Sequence, residues 1–308
     1  MTTLSRRSWI GPLAALLLVY ALFALLAPGT FVGAGNLATM ARQTVVVAIT
    51  SLGMTMVIML GGIDLSVGSA VALTSVLVAR ALDAGAGVLT AAALGVLAPA
   101  LVGACTGLLT TRARLTPFIV TLGGMSVLRG AAKGLAGEQK IDADPRGLDA
   151  LMSASAGLPV GVLVAAVLAL GGALLLEYSV WGRHLLAIGS NERTARLCGV
   201  PVERVTVSVY ALAGALTGVA GLLEFATLTV GDPTDSIGLE LEAIAAVVIG
   251  GGSLSGGQGS VLGAMLGALL MTVIKTGCTH VGVPNWVQEI VTGAIIVVAM
   301  GLDRLRRR

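Results

Sequence analysis

Few side chains in this chain have types and spacing that suit chemistry, and Asp64 comes first among them. It sits in Gly61-Gly62-Ile63-Asp64-Leu65-Ser66-Val67-Gly68-Ser69, between the apolar runs Val45 to Leu60 and Val71 to Val78. A carboxylate between two such runs is expensive unless it is capped, paired or wetted. Asp64 and Ser66 are good N-cap residues for a helix starting near Val67. The glycines permit tight turning and close backbone approach. The stretch therefore reads as a broken helix inside or at the edge of a membrane, where it must be buried in protein or line a watery cavity. Two roles for Asp64 stay open: a cap on the exposed N–H groups of the next helix, or a contact to a substrate or a moving gate. Gly62, Ser66, Gly68 and Ser69 join it as candidates for lining a pathway.

The other reactive residue types form no constellation. Cys105, Cys198 and Cys278 are far apart and lack metal or redox spacing; Cys105 reads as a packing residue. His184 and His280 look like loop or interface residues with no metal partner. No catalytic residue, bound metal or cofactor is expected.

The elements that must position Asp64 are helices in lipid. Of 308 residues, 56% are hydrophobic and 11% charged, and 43 are glycine. The mean hydropathy is +0.96. A soluble domain would carry roughly a quarter charged residues. The long apolar runs do not alternate, which excludes a β-barrel. The expected fold is all-α: a single polytopic helical membrane domain over 1–308, with the glycines serving close helix packing. Ten hydrophobic segments can be drawn: Ile10–Ala27, Val45–Gly62, Val67–Leu82, Val88–Thr111, Thr116–Ala132, Leu158–Leu176, Val205–Thr227, Leu241–Gly252, Val261–Gly277 and Pro284–Leu302. The third, fifth and eighth are short for an upright crossing of roughly 20 residues. The first, preceded by Arg6 and Arg7, reads as a retained span rather than a cleaved signal, because no clean small-x-small site closes it.

Charge sets an orientation. With both termini cytoplasmic, one side collects Arg6 and Arg7, Arg112 and Arg114, Arg183, Arg193, Arg196 and Arg204, and Arg304 to Arg308. The opposite side takes the acidic loop Glu138 to Asp149 and the pair Asp232 and Asp235, as the positive-inside rule requires. This bias explains the net charge of +3 without any nucleic acid. The periplasmic loop, 134–157, reads as a solvated loop or as a docking surface. Glu224, Glu240, Glu242, Lys275, Arg129 and Lys133 collect near the same outer side. They snorkel to the interface or line a vestibule. Glu289, within the last span, is least easily explained by snorkelling.

The cytoplasmic loop, 181–204, has its own local signals. Ser190 or Asn191 can cap a short helix, and Glu192 suits its first turn. Gly199 can end it and Pro201 can start the next. This predicts about two turns of amphipathic helix, with Ala195 and Leu197 as apolar members and Arg193 and Arg196 as basic ones. It either touches lipid headgroups or forms a rigid knob for a partner's groove. A second glycine-rich stretch, Gly250 to Ser260, parallels Gly61 to Ser69, each following an apolar run. Two Gly-interrupted short segments in a transporter can mark its pathway.

Gly-Ile-Asp-Leu-Ser-Val-Gly-Ser at 62–69 resembles the signature of the ribose/xylose/arabinose-type permeases of bacterial ABC importers. From about Asn36 to the C-terminus the later stretches resemble that family in the same order. The loop 190–200 resembles the coupling loop of ABC permeases, with Glu192, Ala195 and Gly199 in its Glu, Ala and Gly places and Arg193 and Thr194 intervening. The resemblance implies a monosaccharide permease in the bacterial inner membrane. Its implied partners are an ATPase subunit docking at Ser190 to Val200, a periplasmic or lipid-anchored sugar-binding protein, and a second permease, identical or sister. ATP would be bound by the partner. Leu254-Ser255-Gly256-Gly257-Gln258 spells the signature of the ATPases themselves, but a phosphate-cradling Gly-x-x-x-x-Gly-Lys-Ser/Thr loop is missing. It resembles instead the family's glycine-rich turn between late spans. Rival readings are a permease for a nucleoside, a quorum-sensing sugar derivative or a branched-chain amino acid, and a gradient-driven carrier, for which Asp64 and Glu289 would be the buried charges.

Overall fold

The computed structural model describes residues 9–153 and 158–306. Arg6, Arg7, Arg307 and Arg308, and residues 154–157 of the long acidic loop, lie outside the described residues. Twelve α-helices carry the described chain: α1 Ile10–Leu26, α2 Ala34–Leu60, α3 Val67–Asp83, α4 Val88–Arg112, α5 Pro117–Ala136, α6 Val160–Tyr178, α7 Val180–Ser190, α8 Glu192–Leu197, α9 Val202–Leu228, α10 Leu239–Ile249, α11 Val261–His280 and α12 Asn285–Arg306. Two-residue strands, β1 Ile141–Asp142 and β2 Val230–Gly231, pair antiparallel. Five helices (α2, α4, α6, α9 and α11) are long and apolar enough to cross a membrane, so the chain is an all-α membrane protein.

Each of the ten apolar segments becomes one helix, and two differences stand out. Helix α2 begins at Ala34 rather than near Val45. Its polar first turns are anchored by tertiary partners: Asn36 faces His280 at 2.9 Å, and Gln43 accepts from Thr276 at 3.1 Å. The loop 181–204 holds a helix that the sequence reading missed, α7, started by Ser179, whose hydroxyl accepts from Gly182 N–H at 2.9 Å. Cys105, expected to pack, is exposed.

The bundle has two distinct ends. Helices α4 and α9 run antiparallel, so Arg112 lies at the end where α8 leads into α9. At the opposite end β1 meets β2, Arg146 donates to the carbonyls of Leu82 and Ala86, and His280 reaches the α1–α2 turn at Thr30. There Lys140 pairs with Asp232 at 2.9 Å. Burial pushes the Asp232 carboxyl up, but hydrogen bonds from Thr234 and Lys140 outweigh it and hold the group below its ordinary value. A depressed carboxyl stabilises the fold at neutral pH, and that contribution is lost as pH falls through the folded value. For a pair with a solvent-facing lysine it is small.

Helices α4 and α9 form the closest contact. Each carries a Gly-x-x-x-Gly, Gly103 with Gly107 and Gly214 with Gly218, and each glycine faces the other helix's backbone. A methyl on Gly107 would sit 2.6 Å from Val207 Cα, and one on Gly218 2.7 Å from Val96 Cα; one on Gly214 would meet the Pro99 carbonyl. In lipid, such close packing replaces the hydrophobic drive available in water. Pro99, inside α4, cannot donate to Gly95 O. The freed carbonyl accepts instead from Thr74 of α3 at 3.1 Å, so the proline costs no unsatisfied group. Gly214→Leu should therefore prise α4 from α9. It is expected to cost at least the ~1–3 kcal/mol typical of overpacking, read as loss of the monodisperse detergent-solubilised protein on size exclusion.

Candidate functional site

The break between α2 and α3 is built from the residues the sequence singled out. Gly61 ends α2 at φ +94°. Its N–H bonds Ile58 O, and Gly62 N–H bonds Val57 O, both at 2.9 Å, so the last turn's carbonyls are satisfied without water. Gly62 is glycine for a further reason: a methyl there would meet the Tyr210 hydroxyl of α9, and Val57 Cγ1 at 3.3 Å. Ile63 O accepts from Thr121 of α5 at 3.0 Å. The Asp64 carboxylate then accepts from Ser66 N–H at 2.9 Å and from the Ser66 hydroxyl at 2.6 Å. Helix α3 starts at Val67, with Ser66 at the cap position but making no side-chain cap bond. Asp64 thus closes the turn that delivers the chain into α3, bonding Ser66 rather than the N–H groups of the helix's first turn. Asp64, Ser66, Gly68 and Ser69 are all buried.

Removing the Asp64 carboxylate leaves the buried Ser66 N–H without its partner. Asp64→Ala is therefore expected to cost about 1–3 kcal/mol, seen as a lower thermal midpoint in detergent, whereas Asp64→Asn retains an acceptor and most of the stability. An Asn variant that is stable but inactive would show that the negative charge, beyond its bonds to Ser66, is used.

The start of α3 meets a second helix start. A methyl on Gly68 would run into Ser236 O and the Glu240 carboxylate, which stand just before and within the first turn of α10. At 11 residues and about 1.5 Å per residue, α10 is a half-crossing. It ends in the glycine-rich turn 250–260, which folds on itself through Ser253 N–H to Gln258 O at 3.1 Å and Gly256 N–H to Ser253 O at 2.9 Å. The Leu254–Gln258 motif is thus a tight connection between α10 and α11.

That turn closes onto the break and onto α7. Gly257 N–H donates to Met59 O at 2.8 Å. A methyl on Gly256 would lie 2.6 Å from Gly189 O and 3.1 Å from Gly61 Cα; one on Gly189 would meet Met59 O, and Gly257 N at 2.7 Å. Three landmarks scattered through the sequence, the break, the end of the α7 helix and the glycine-rich turn, therefore share one contact made of bare backbone.

Helix α8 hangs from this point. Asn191 caps it, accepting from Thr194 N–H at 2.9 Å, and Gly199 closes it at φ +80° with its N–H on Arg196 O. It has six residues, close to the two turns that the spacing suggested. Ser190 belongs to α7, where its hydroxyl bonds Leu186 O. Only Ala195 is buried; Asn191, Glu192, Arg193, Arg196 and Gly199 are exposed, and Leu197 is 89% exposed. Arg196 spans Glu192 at 3.1 Å and Glu203 at 3.9 Å. Helix α8 is a protruding knob seated on one methyl group, with an apolar tip in a basic and acidic surround.

Two of the cations near the end opposite α8 have partners there. Lys275 bonds Glu242 at 2.8 Å, and Arg129 donates to the carbonyls of Pro233 and Asp235. Glu289 is exposed on α12. Among the described residues no group of three His, Cys, Asp or Glu is arranged to hold a metal. Tyr210 escaped sequence reading; a lone Tyr in an apolar run gives no sign that its hydroxyl will abut Gly62.

Five apolar helices long enough to span, with one buried polar break at Asp64, make this a multi-pass membrane protein. Residues 36–300 match the family described as branched-chain amino acid transport system / permease component, and the chain belongs to it. It is 36% identical to the ribose import permease protein RbsC of Escherichia coli K12, over 96% of this chain and 93% of that one. It is likewise 36% identical to RbsC of Bacillus subtilis strain 168, over 96% and 92%. It is 33% identical to the L-arabinose ABC transporter permease protein AraH of Azospirillum brasilense, over 96% and 88%. No solved structure matches significantly.

Proposed function

We propose that this chain is the transmembrane subunit of a bacterial ABC importer that carries a monosaccharide, a pentose or hexose, across the inner membrane. The observation that carries the reading is near-full-length likeness to permeases named for ribose and L-arabinose; the family's own description names amino acids, a broader group in which the sugar-named relatives are the better guide. In this reading the α8 end is cytoplasmic, because Arg112, Arg114, Arg183, Arg193, Arg196 and Arg204 gather there. Both termini share that side, and ten helices cross or enter the membrane. An ATPase subunit grips α8 through Leu197 and Arg193. A sugar-binding protein docks at the opposite end, on the loops 138–152 and 232–238. A second permease, identical or sister, completes the wall of the pathway.

The geometry suggests how the chain responds. A displacement of α8 reaches Gly189 at once, because that glycine lies two residues before the Asn191 cap. There it meets Met59 and Gly257, one residue group on each side of the two broken helices. The α2–α3 break and the α10–α11 turn then shift together, taking the bundle between inward-open and outward-open packings that ATP binding and hydrolysis populate in turn. No residue of this chain needs to do covalent chemistry.

The test is purification of the tagged chain from native membranes in mild detergent, with co-purifying proteins identified by mass spectrometry, followed by uptake of D-ribose and L-arabinose in vesicles with and without ATP. A co-purifying ATPase bearing phosphate-binding loops and ATP-dependent uptake are expected. Uptake driven by an ion gradient with no ATPase present would replace the importer with a secondary carrier.

A further inference from the structure

A groove of about 350 Å³ opens between α7 and α9, lined by Trp181, His184, Pro201, Arg204, Val205 and Ser208. The path of the chain sets its depth. Helix α6, long and apolar enough to span, ends at Tyr178, and α9, another such helix, starts at Val202. The groove therefore lies where one span has just ended and the next has just begun, at the edge of the apolar zone. Tyr178, 74% exposed, and Trp181 mark the same level, since aromatic side chains with a polar tip settle among headgroups.

Its walls are held in place, and their charge has one sign. Trp181 Nε1–H donates to the Ser208 hydroxyl oxygen at 2.7 Å, and that hydroxyl donates to Val205 O at 2.8 Å. The indole is thereby fixed, and its ring joins Pro201 and Val205 as an apolar wall. Arg204 and His184 supply the polar side. Their side chains make no hydrogen bond or ion pair among the described residues. Glu203, beside Arg204 in the first turn of α9, lies instead by Arg196 at 3.9 Å. No carboxylate is among the described residues of the lining. A guanidinium without a counter-ion suits a phosphate, which it binds through paired N–H groups. The imidazole beside it offers an N–H in either protonation state. The apolar wall suits the glycerol and upper acyl chains of the same molecule; a free anion would leave that wall unused.

We infer that this groove is a site for one anionic phospholipid of the leaflet on the α8 side, its phosphate on Arg204 and His184 and its glycerol against Trp181. The headgroup braces α7 against α9, and α7 carries α8 beyond its other end. The inference rests on the membrane assignment alone, so it is tested apart from the sugar and the ATPase.

The full chain with Trp9→Phe and Trp286→Phe keeps Trp181 as its one tryptophan. In vesicles, phosphatidylglycerol with brominated acyl chains is expected to quench Trp181 at about fivefold lower mole fraction than brominated phosphatidylcholine, the weight of one arginine at an anionic surface. Arg204→Gln should bring the two lipids to within about twofold of each other. Arg204→Lys, which keeps the charge, should retain most of the preference. Arg112→Gln, at the same end but outside the groove, should retain all of it. Native mass spectrometry of the unsubstituted chain in detergent should find one phosphatidylglycerol retained, and none on Arg204→Gln. A preference that survives Arg204→Gln, or that Arg112→Gln removes equally, means attraction to the surface without a site. Reversal of the quenching by inorganic phosphate means that the groove takes a free anion and no lipid.

Discussion

Alanine at Gly189 is expected to abolish sugar uptake while leaving the ATPase bound. The added methyl has no free space: Met59 O stands in its position and Gly257 N lies 2.7 Å away. Both are backbone, held to each other by the Gly257 to Met59 hydrogen bond, so neither can swing aside as a flexible side chain would. Overpacking of this kind costs about 1–3 kcal/mol. Where that cost falls on only one of two alternating packings, it shifts their ratio by about 5- to 150-fold. The docking knob is untouched, since α8 starts beyond Asn191. The variant should therefore co-purify its ATPase at the normal ratio but show turnover no longer linked to uptake. Gly171→Ala is the matched control: that glycine has nothing within 4 Å of the added methyl and should transport normally. Uptake by the Gly189→Ala protein within about twofold of the unsubstituted chain, a shift of under 0.5 kcal/mol, would remove the end of α7 from the transmission path.

What could be read from the sequence follows from how local each cause is. The start of α3 at Val67 was legible because Asp64 and Ser66 are polar residues with turn chemistry inside an apolar run. The cap at Asn191 and the stop at Gly199 were legible for the same reason. The start of α2 was hidden, since Asn36, Arg42 and Gln43 look like loop residues until His280 and Thr276 arrive from the far end of the chain. Helix α7 was hidden by Arg183 and His184, which read as a basic loop, although Ser179 three residues before Gly182 is a cap signal. The contact among Gly61, Gly189 and Gly257 had no local sign. Gly189 and Gly257 are explained by backbone that another part of the chain supplies, whereas Gly61 has open space and is required by its own φ of +94°. The pairing of Lys275 with Glu242 likewise depends on distant parts of the chain, and joins charges that looked bound for the interface.

The second large effect is expected at the tip of α8. Leu197→Asp should release the ATPase from the purified permease and with it all ATP-dependent uptake. Leu197 is 89% exposed and makes no contribution to the fold that its loss could undo, so the folded state should change by no more than about 0.5 kcal/mol. An apolar side chain held in water at the end of a rigid, capped turn is instead the kind of anchor that dominates an interface; such anchors carry about 2 kcal/mol or more each, a drop in affinity of roughly 30-fold. Arg196→Glu is expected to act more weakly on assembly, because its ion pairs to Glu192 and Glu203 are solvent-exposed and such pairs are worth little. Its main effect is to reverse a charge beside the tip. The ordering separates two partners for the knob. A protein groove makes Leu197→Asp the more damaging of the two. An anionic lipid surface, attracted by charge, makes Arg196→Glu the more damaging and leaves the ATPase in place after Leu197→Asp. Co-purification ratios of the two variants, measured side by side with vesicle flotation, decide between them.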